Sequence, residues 1–214
     1  MTDFNTDFKI TSKAAIEIGR LLRAGTSGFI VGCRVNQLDA PAFGGLVRVP
    51  LGDGYQIYGL IYDIHIDDDG IVRQLVTSDR VSEAIMADNR VNRNVPIEVS
   101  VLTVGYQLED QIRHLLPPRP PLSLDVIYQC NPAELCAFTS AGRFGYLRHI
   151  LRSKDIPIGE LLAAHIEQAG AAQNLAGNPQ WASDITQELI ALLRDDYPTL
   201  MAVLGALGDV LPGS

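Results

Sequence analysis

Residues 43–66, FGGLVRVPLGDGYQIYGLIYDIHI, constrain the fold of this chain more than any other stretch. Val47 and Val49 alternate with their neighbours before the turn. After it, apolar and aromatic residues share one strand face, namely Tyr58, Leu60, Tyr62, Ile64 and Ile66. A period of two residues is typical of β-strands. Between the two runs, residues 52–54 (Gly-Asp-Gly) tolerate the positive φ angles of a tight turn, so the stretch predicts a β-hairpin.

The second strand of this hairpin is apolar on both faces through its middle. Its other face carries Ile57 and Ile61, with Gly59 between them. A strand of this kind is covered on both sides, and a glycine at its midpoint lets it coil sharply, as strands of small closed barrels do. We therefore expect a small closed β-barrel built around this hairpin.

The remaining chain adds strands before residue 130 and helices after it. Alternating apolar residues predict further strands over residues 29–35, 96–104 and 124–130. Ala15, Ile18 and Leu22 have helical spacing and predict a short amphipathic helix over residues 12–23. Beyond residue 131 the chain is rich in Ala, Leu and Glu, and its apolar residues again recur with a helical period.

These patterns predict a fold class that is mainly β plus α, with a small closed β-barrel followed by a C-terminal helical appendage. The expected domains are an N-terminal arm with a short helix (1–26), a barrel with a helical insertion near 79–90 (27–130), and the helical appendage (131–214). Residues 169–179, AGAAQNLAGNP, form the predicted linker within the appendage. The DDDG run at residues 67–70 fits a solvated turn better than a calcium loop, because no glutamate closes an EF-hand frame.

Composition and charge narrow the class of protein. Hydrophobic residues make up 47% of the chain and charged residues 20%, which is ordinary for a globular fold. The formal net charge is -8, and clustered Lys and Arg are lacking, so we expect no strong direct nucleic-acid binding. No apolar run approaches the roughly 18 residues of a membrane span, and acidic residues occupy the place of a signal peptide's basic start. These features predict a cytoplasmic protein without membrane contact.

Motifs that carry catalysis or bind cofactors are missing from the sequence. The histidines at 65, 114, 149 and 165 and the cysteines at 33, 130 and 136 show no metal-ligand spacing. There is no GxSxG elbow, no GxxxxGK[ST] loop and no GxGxxG after a strand. We therefore expect no catalytic residue, no metal, no cofactor and no enzymatic activity, with the histidines in core or surface roles and the cysteines reduced.

The most distinctive local motif is LPPRPP at residues 116–121, in which Arg119 stands among Pro117, Pro118, Pro120 and Pro121. Such a run fixes the backbone near polyproline II and donates almost no main-chain hydrogen bonds, so it is no central strand. One interpretation, favoured by the strands predicted on either side, is a rigid crossover. The other is a ridge that a partner protein binds, since a PxxP pair with an Arg suits aromatic-lined recognition grooves. The five residues Pro117 to Pro121 are thus the candidate partner-binding residues.

The order of these motifs is similar to that of a known family. GFIVG, GGLVRV, YGLIY, VGY, LPPRPP and VIYQC occur in succession. The chain resembles the HAS-barrel, the small barrel of HerA-type DNA translocases and ATP synthases, over roughly residues 27–130. It also resembles uncharacterised bacterial proteins in which this barrel stands without an ATPase. HerA-type proteins continue into a P-loop core, whereas this chain continues into predicted helices.

The resemblance implies assembly, because barrels of these families line up around a ring and offer a docking surface. The expected function is a non-catalytic assembly or adaptor subunit that docks onto a HerA-like DNA translocase or a NurA-type nuclease in DNA repair. Self-association into a homo-oligomer is compatible with the same resemblance. The alternative is a barrel module that binds a small molecule or nucleotide.

Overall fold

The computed structural model describes residues 15–35, 41–66 and 95–211. The strands within these ranges are β1 (Ile16–Ala24), β2 (Gly28–Val35), β3 (Leu46–Pro50), β4 (Gln56–Ile66), β5 (Val95–Leu108), β6 (Gln111–Arg113) and β7 (Val126–Gln129). The helices are α1 (Pro132–Ser140), α2 (Leu147–Leu151), α3 (Ile158–Leu175), α4 (Trp181–Leu192) and α5 (Tyr197–Val210). The helical insertion predicted near 79–90 and the DDDG turn lie outside the described residues.

Six of the strands close into an antiparallel barrel. The pairing runs β1-β7-β3-β4-β5-β2 and returns to β1, and β6 extends β5 as a short hairpin outside the ring. The predicted fold class, a closed β-barrel followed by helices, is therefore confirmed. The hairpin around the Gly-Asp-Gly turn is also confirmed, since β3 and β4 pair from Leu46 with Leu60 to Pro50 with Gln56, and all three turn residues have positive φ angles.

The prediction of a short helix over residues 12–23 was wrong for residues 16–23, which belong to β1. Register shifts between Glu17 and Gly19 and between Leu21 and Arg23 interrupt the alternation of this strand. As a result its two buried side chains, Ile18 and Leu21, stand three residues apart. That spacing imitates one helical turn. Within the described residues the barrel therefore begins at Ile16, not at residue 27.

The linker predicted at 169–179 was also wrong in extent. The helix α3 continues through its alanine-rich end to Leu175, because Ala169 and Ala172 are buried against neighbouring helices. The connection to α4 is confined to residues 176–180, where Gly177 has a φ of +84°. Glycine adopts this left-handed conformation without steric cost, which suits it to end a helix.

Strand β4 separates two hydrophobic cores, as its two apolar faces predicted. Ile57 and Ile61 point into the barrel, while Tyr58 and Leu60 point outward under the helices. The inner core also contains Phe29, Val31, Val47, Val49, Ile97, Val99, Val101 and Ile127; the outer core contains Leu46, Val104, Phe138, Tyr146, Leu161, Leu162, Ile166, Trp181, Ile185, Leu189 and Val203. The helices are thus packed on the outer wall of the barrel through a shared core.

Candidate functional site

The LPPRPP segment connects β6 to β7 without joining the sheet. Pro117 and Pro121 are buried, whereas Pro118 and Arg119 are exposed between them. The guanidinium carbon of Arg119 lies 5.8 Å from the centre of the Tyr55 ring, and the Tyr55 hydroxyl donates to the backbone oxygen of Arg119 at 3.5 Å. The segment is therefore fixed at both ends and presents Pro118 and Arg119 outward beside the β3–β4 turn.

Tyr55 is the side chain on which this segment rests. Its ring packs edge-on against Tyr106 with centroids 5.9 Å apart. Burial raises the pKa of the Tyr55 hydroxyl, and the positive charge of Arg119 partly opposes that rise. The side chain of Arg119 is exposed, and none of the side-chain hydrogen bonds within the described residues is donated by its guanidinium. Its N–H donors are therefore available to an acceptor outside the molecule.

Leucines with large exposed side chains flank the proline segment on both sides. Leu122 and Leu124 are 72% and 69% exposed, and Leu115 and Leu116 are about half exposed. We call these four leucines together with Pro118 and Arg119 the docking ridge. Apolar side chains concentrated in one exposed stretch of chain are typical of protein-binding surfaces.

The backbone of the docking ridge is held in place around Leu124. Leu124 has a φ of +72°, a conformation that costs a non-glycine residue on the order of 1 kcal/mol or more. Its amide donates to the carbonyl of Leu21 at 2.9 Å, and the amide of Leu122 donates to the Asp125 carboxylate at 2.7 Å. The surrounding hydrogen bonds therefore offset the strain and keep both leucines directed outward.

Two of the four histidines are buried between the barrel and the helices, in agreement with the predicted core role. The His165 ring hydrogen-bonds the Gly44 carbonyl and the Tyr146 hydroxyl, each at 3.2 Å. His114 donates from Nε2 to the Phe138 carbonyl at 3.1 Å, and its buried Nδ1 has no hydrogen-bond partner. Burial lowers the pKa of each imidazole to about 4. Both rings are neutral at physiological pH, and each connects helical residues to the barrel.

The backbone carbonyl of His114 anchors α2 to the chain that follows β6. It accepts a short hydrogen bond from Arg148 and another from His149 Nε2 at 3.1 Å. The three cysteines are free thiols. Within the described residues, no group of three or more His, Cys, Asp or Glu side chains is arranged to hold a metal ion.

A cleft of about 730 Å³ lies between the β1–β2 turn and the connection from α2 to α3. Its walls include Phe29, Tyr62 and Thr103 from the barrel, and Arg152 and Lys154 from the connection. Arg23, near the end of β1, also lines it. The sequence did not predict this cleft, because Arg23 is more than a hundred positions away from Arg152 and Lys154 and the three carry no motif.

Comparison of the chain with protein-family models gives no match, and comparison with curated proteins gives no significant match. The resemblance to the HAS-barrel therefore stays a prediction. No helix among the described residues has the length and the apolar character needed to cross a membrane.

Proposed function

We propose that this protein is a non-catalytic adaptor subunit of the cytoplasm that docks through the ridge onto a HerA-like DNA translocase or its NurA-type partner nuclease in DNA repair. The observation that carries the proposal is the exposed pair Pro118 and Arg119, held between two buried prolines. A rigid backbone loses little conformational entropy on binding, so this entropy cost subtracts little from the binding free energy of contacts that Pro118 and Arg119 make.

The chemistry of the ridge favours a partner groove that is apolar with an acidic edge. The four leucines supply apolar area, and Arg119 supplies a planar cation that pairs with a carboxylate or stacks on a ring. Arginine on a fixed frame beside apolar contacts is a common source of binding energy in protein interfaces. The chain itself is acidic, with a formal net charge of -8, so Arg119 also helps to select one face for docking.

A second candidate function is the binding of a small molecule or nucleotide, and the 730 Å³ cleft favours it. The two functions use largely different residues, since Leu116 is the one member of the docking ridge that also lines the cleft. They can therefore be tested separately.

The proposal is tested by mixing the purified protein with a purified HerA-like ATPase and a NurA-type nuclease from the same cell and analysing the mixtures by size-exclusion chromatography with light scattering. We expect co-elution with one of them at micromolar concentration. We also expect no ATPase, nuclease or esterase turnover from the protein alone. Turnover that disappears on substitution of one residue of this chain, or no co-elution with either partner, would refute the proposal.

A further inference from the structure

The cleft beside the β1–β2 turn gathers cations that have no partners of their own. Arg23, Arg152 and Lys154 line it, and none of the three forms an ion pair or a side-chain hydrogen bond in the part of the chain that the structure describes. Asp155 is the one carboxylate among the described residues that line the cleft. These lining residues therefore carry net positive charge in a chain whose formal net charge is -8.

The positive charge of nearby arginines affects the pKa of His149. Burial lowers the pKa of His149, which also lines the cleft, and the charges of Arg148 and Arg152 lower it further. Like charges that converge without partners repel one another, and an anion bound between them relieves that repulsion. Guanidinium groups match the oxygens of carboxylates and phosphates with two parallel N–H donors, and three cations in one cleft favour the more highly charged phosphate.

The walls of the cleft supply apolar contacts and a free hydroxyl group. Tyr62, Leu102 and Ile156 give it an apolar side. Thr103 lines the cleft, is 1% exposed, and its Oγ1 has no hydrogen-bond partner. A buried polar atom without a partner is destabilising, so a partner for Oγ1 is expected from outside the chain. A volume of about 730 Å³ is in the range of small-molecule sites.

We propose that this cleft binds a nucleoside phosphate, with its phosphate groups at Arg23, Arg152 and Lys154 and its base or sugar against the apolar side, within reach of the Thr103 hydroxyl. This inference rests on the second candidate function and not on docking, and the site shares Leu116 alone with the docking ridge. A variant of Arg119 leaves the proposed ligand contacts intact, and a variant of Arg152 leaves the ridge intact, so failure of either proposal can be recognised by itself.

The test is isothermal titration calorimetry of the full chain at low ionic strength with ATP, ADP, pyrophosphate and adenosine. We expect ATP or ADP to bind, with pyrophosphate and adenosine each weaker by about tenfold or more, because each lacks one set of contacts. Arg152→Gln and Lys154→Gln should each raise the dissociation constant by about tenfold, the loss typical of one charge-assisted hydrogen bond. Arg194→Gln is the matched control, because its side chain is 77% exposed and lies outside the cleft.

Thr103→Val separates a ligand contact from a structural role. It removes a hydroxyl that has no partner, so the free protein should melt at the same temperature or higher. If the hydroxyl contacts the ligand, the same variant binds ATP or ADP more weakly. A stable Thr103→Val variant with unchanged affinity would overturn the contact assigned to Oγ1.

Other outcomes would overturn the site itself. These are no heat of binding for any of the four compounds at about millimolar concentration, equal loss of affinity in Arg194→Gln and Arg152→Gln, or binding of pyrophosphate as tight as that of ATP. Binding of single-stranded oligonucleotides without binding of mononucleotides would also overturn it, because a backbone-tracking surface would then be the correct description.

Discussion

The hydroxyl of Tyr146 donates a hydrogen bond to the imidazole of His165, with Oη and Nε2 3.2 Å apart. The direction follows from the other ring nitrogen. Nδ1 faces the carbonyl oxygen of Gly44, which can only accept, so the proton of the neutral ring is on Nδ1 and Nε2 accepts. Burial removes the ring from water and so disfavours its charged form, which lowers the pKa of His165, and the hydrogen bond to the Gly44 carbonyl opposes part of that change.

We predict that the protein loses stability as the pH falls from about 6.5 to about 4. His114 and His165 have pKa values lowered to about 4 in the folded state, against 6.5 for an ordinary histidine. Between these values the unfolded chain binds more protons than the folded one, so the free energy of unfolding decreases as the pH decreases. Each histidine contributes on the order of 3 kcal/mol over this range. Urea unfolding at several pH values between 4 and 8 measures the slope.

A single variant tests whether the histidines cause this slope. His165→Gln retains hydrogen-bonding groups but cannot be protonated, so it should remove the contribution of His165 to the loss and leave those of His114 and His149, whose pKa values are also lowered. If the free energy of unfolding of the variant changed with pH as that of the wild type does, groups other than His165 would be the cause of the pH dependence.

Gly59→Val should lower the free energy of unfolding by several kcal/mol. A Cβ atom at Gly59 would overlap Val101 Cγ1, and it would lie 3.0 Å from the Leu102 carbonyl oxygen and 3.3 Å from Phe29 Cε1. Overpacking and displaced backbone each typically cost about 1 to 3 kcal/mol. A melting temperature within a degree of the wild type would show that β4 tolerates a side chain at its midpoint.

Gly205→Ala in α5 is the matched control for this experiment. A Cβ atom there meets nothing within 4 Å. Because alanine is the better helix former, this variant should be neutral or stabilising by up to about 1 kcal/mol. Opposite effects of the two glycine substitutions would assign the loss at Gly59 to packing.

The hairpin and the glycine of β4 could be predicted because local pattern and tertiary role agree there. Ile57 and Ile61 alternate with Tyr58 and Leu60, and both faces are buried in different cores. In β1 the local sequence pattern and the position in the barrel disagree. Gly19 packs so closely that a Cβ atom would lie 2.5 Å from the Gly32 carbonyl oxygen, and the bulges beside it shift the buried positions. Residues 16–24 form a strand because they pair with β2 and β7, and the pairing with β7 joins residues far apart in the sequence.

The sequence predicted the exposed part of the candidate site but not its supports or the cleft. LPPRPP is contiguous, so its rigidity could be inferred from residues 116–121 alone. Tyr55, which carries Arg119, is 64 residues away along the chain. Arg23 reaches the same cleft as Arg152 only because the barrel closes beside the helices. Residues far apart in the sequence meet here because of the order in which the strands pair, and motif spacing does not report that order.

Glu134→Gln should lower the free energy of unfolding by about 1 to 3 kcal/mol. The Glu134 carboxylate lies 2.7 Å from Arg48 Nε on β3, and both side chains are mostly buried. It also accepts from the Asn131 amide at 2.8 Å, which completes the capping box of α1. The control is Asp195→Asn, which removes the exposed Arg194–Asp195 ion pair and should lower the free energy of unfolding by about 0.5 kcal/mol or less. Urea unfolding of both variants compares the two losses. Equal losses would contradict an anchoring role for Glu134.

The prolines of the LPPRPP segment should differ in their contribution to stability. Pro118 is exposed, so Pro118→Ala should cost about 1 kcal/mol or less, chiefly through the greater freedom of the unfolded chain. Pro121 is buried, so Pro121→Ala should cost more, because apolar contact is lost as well. Thermal melts of both variants measure the difference, and a larger loss for Pro118→Ala would contradict the arrangement of the segment.

The adaptor function is tested most directly by the affinity of the Arg119→Ala variant for the HerA-like ATPase or NurA-type nuclease, measured beside its thermal melt and an Arg194→Ala control. We expect a loss of about 2 kcal/mol or more in binding free energy, a melting temperature close to that of the wild type, and no loss of affinity in the control. Wild-type affinity in the Arg119→Ala variant, with an unchanged melting temperature, would contradict docking through Arg119 and leave LPPRPP as a connector between β6 and β7.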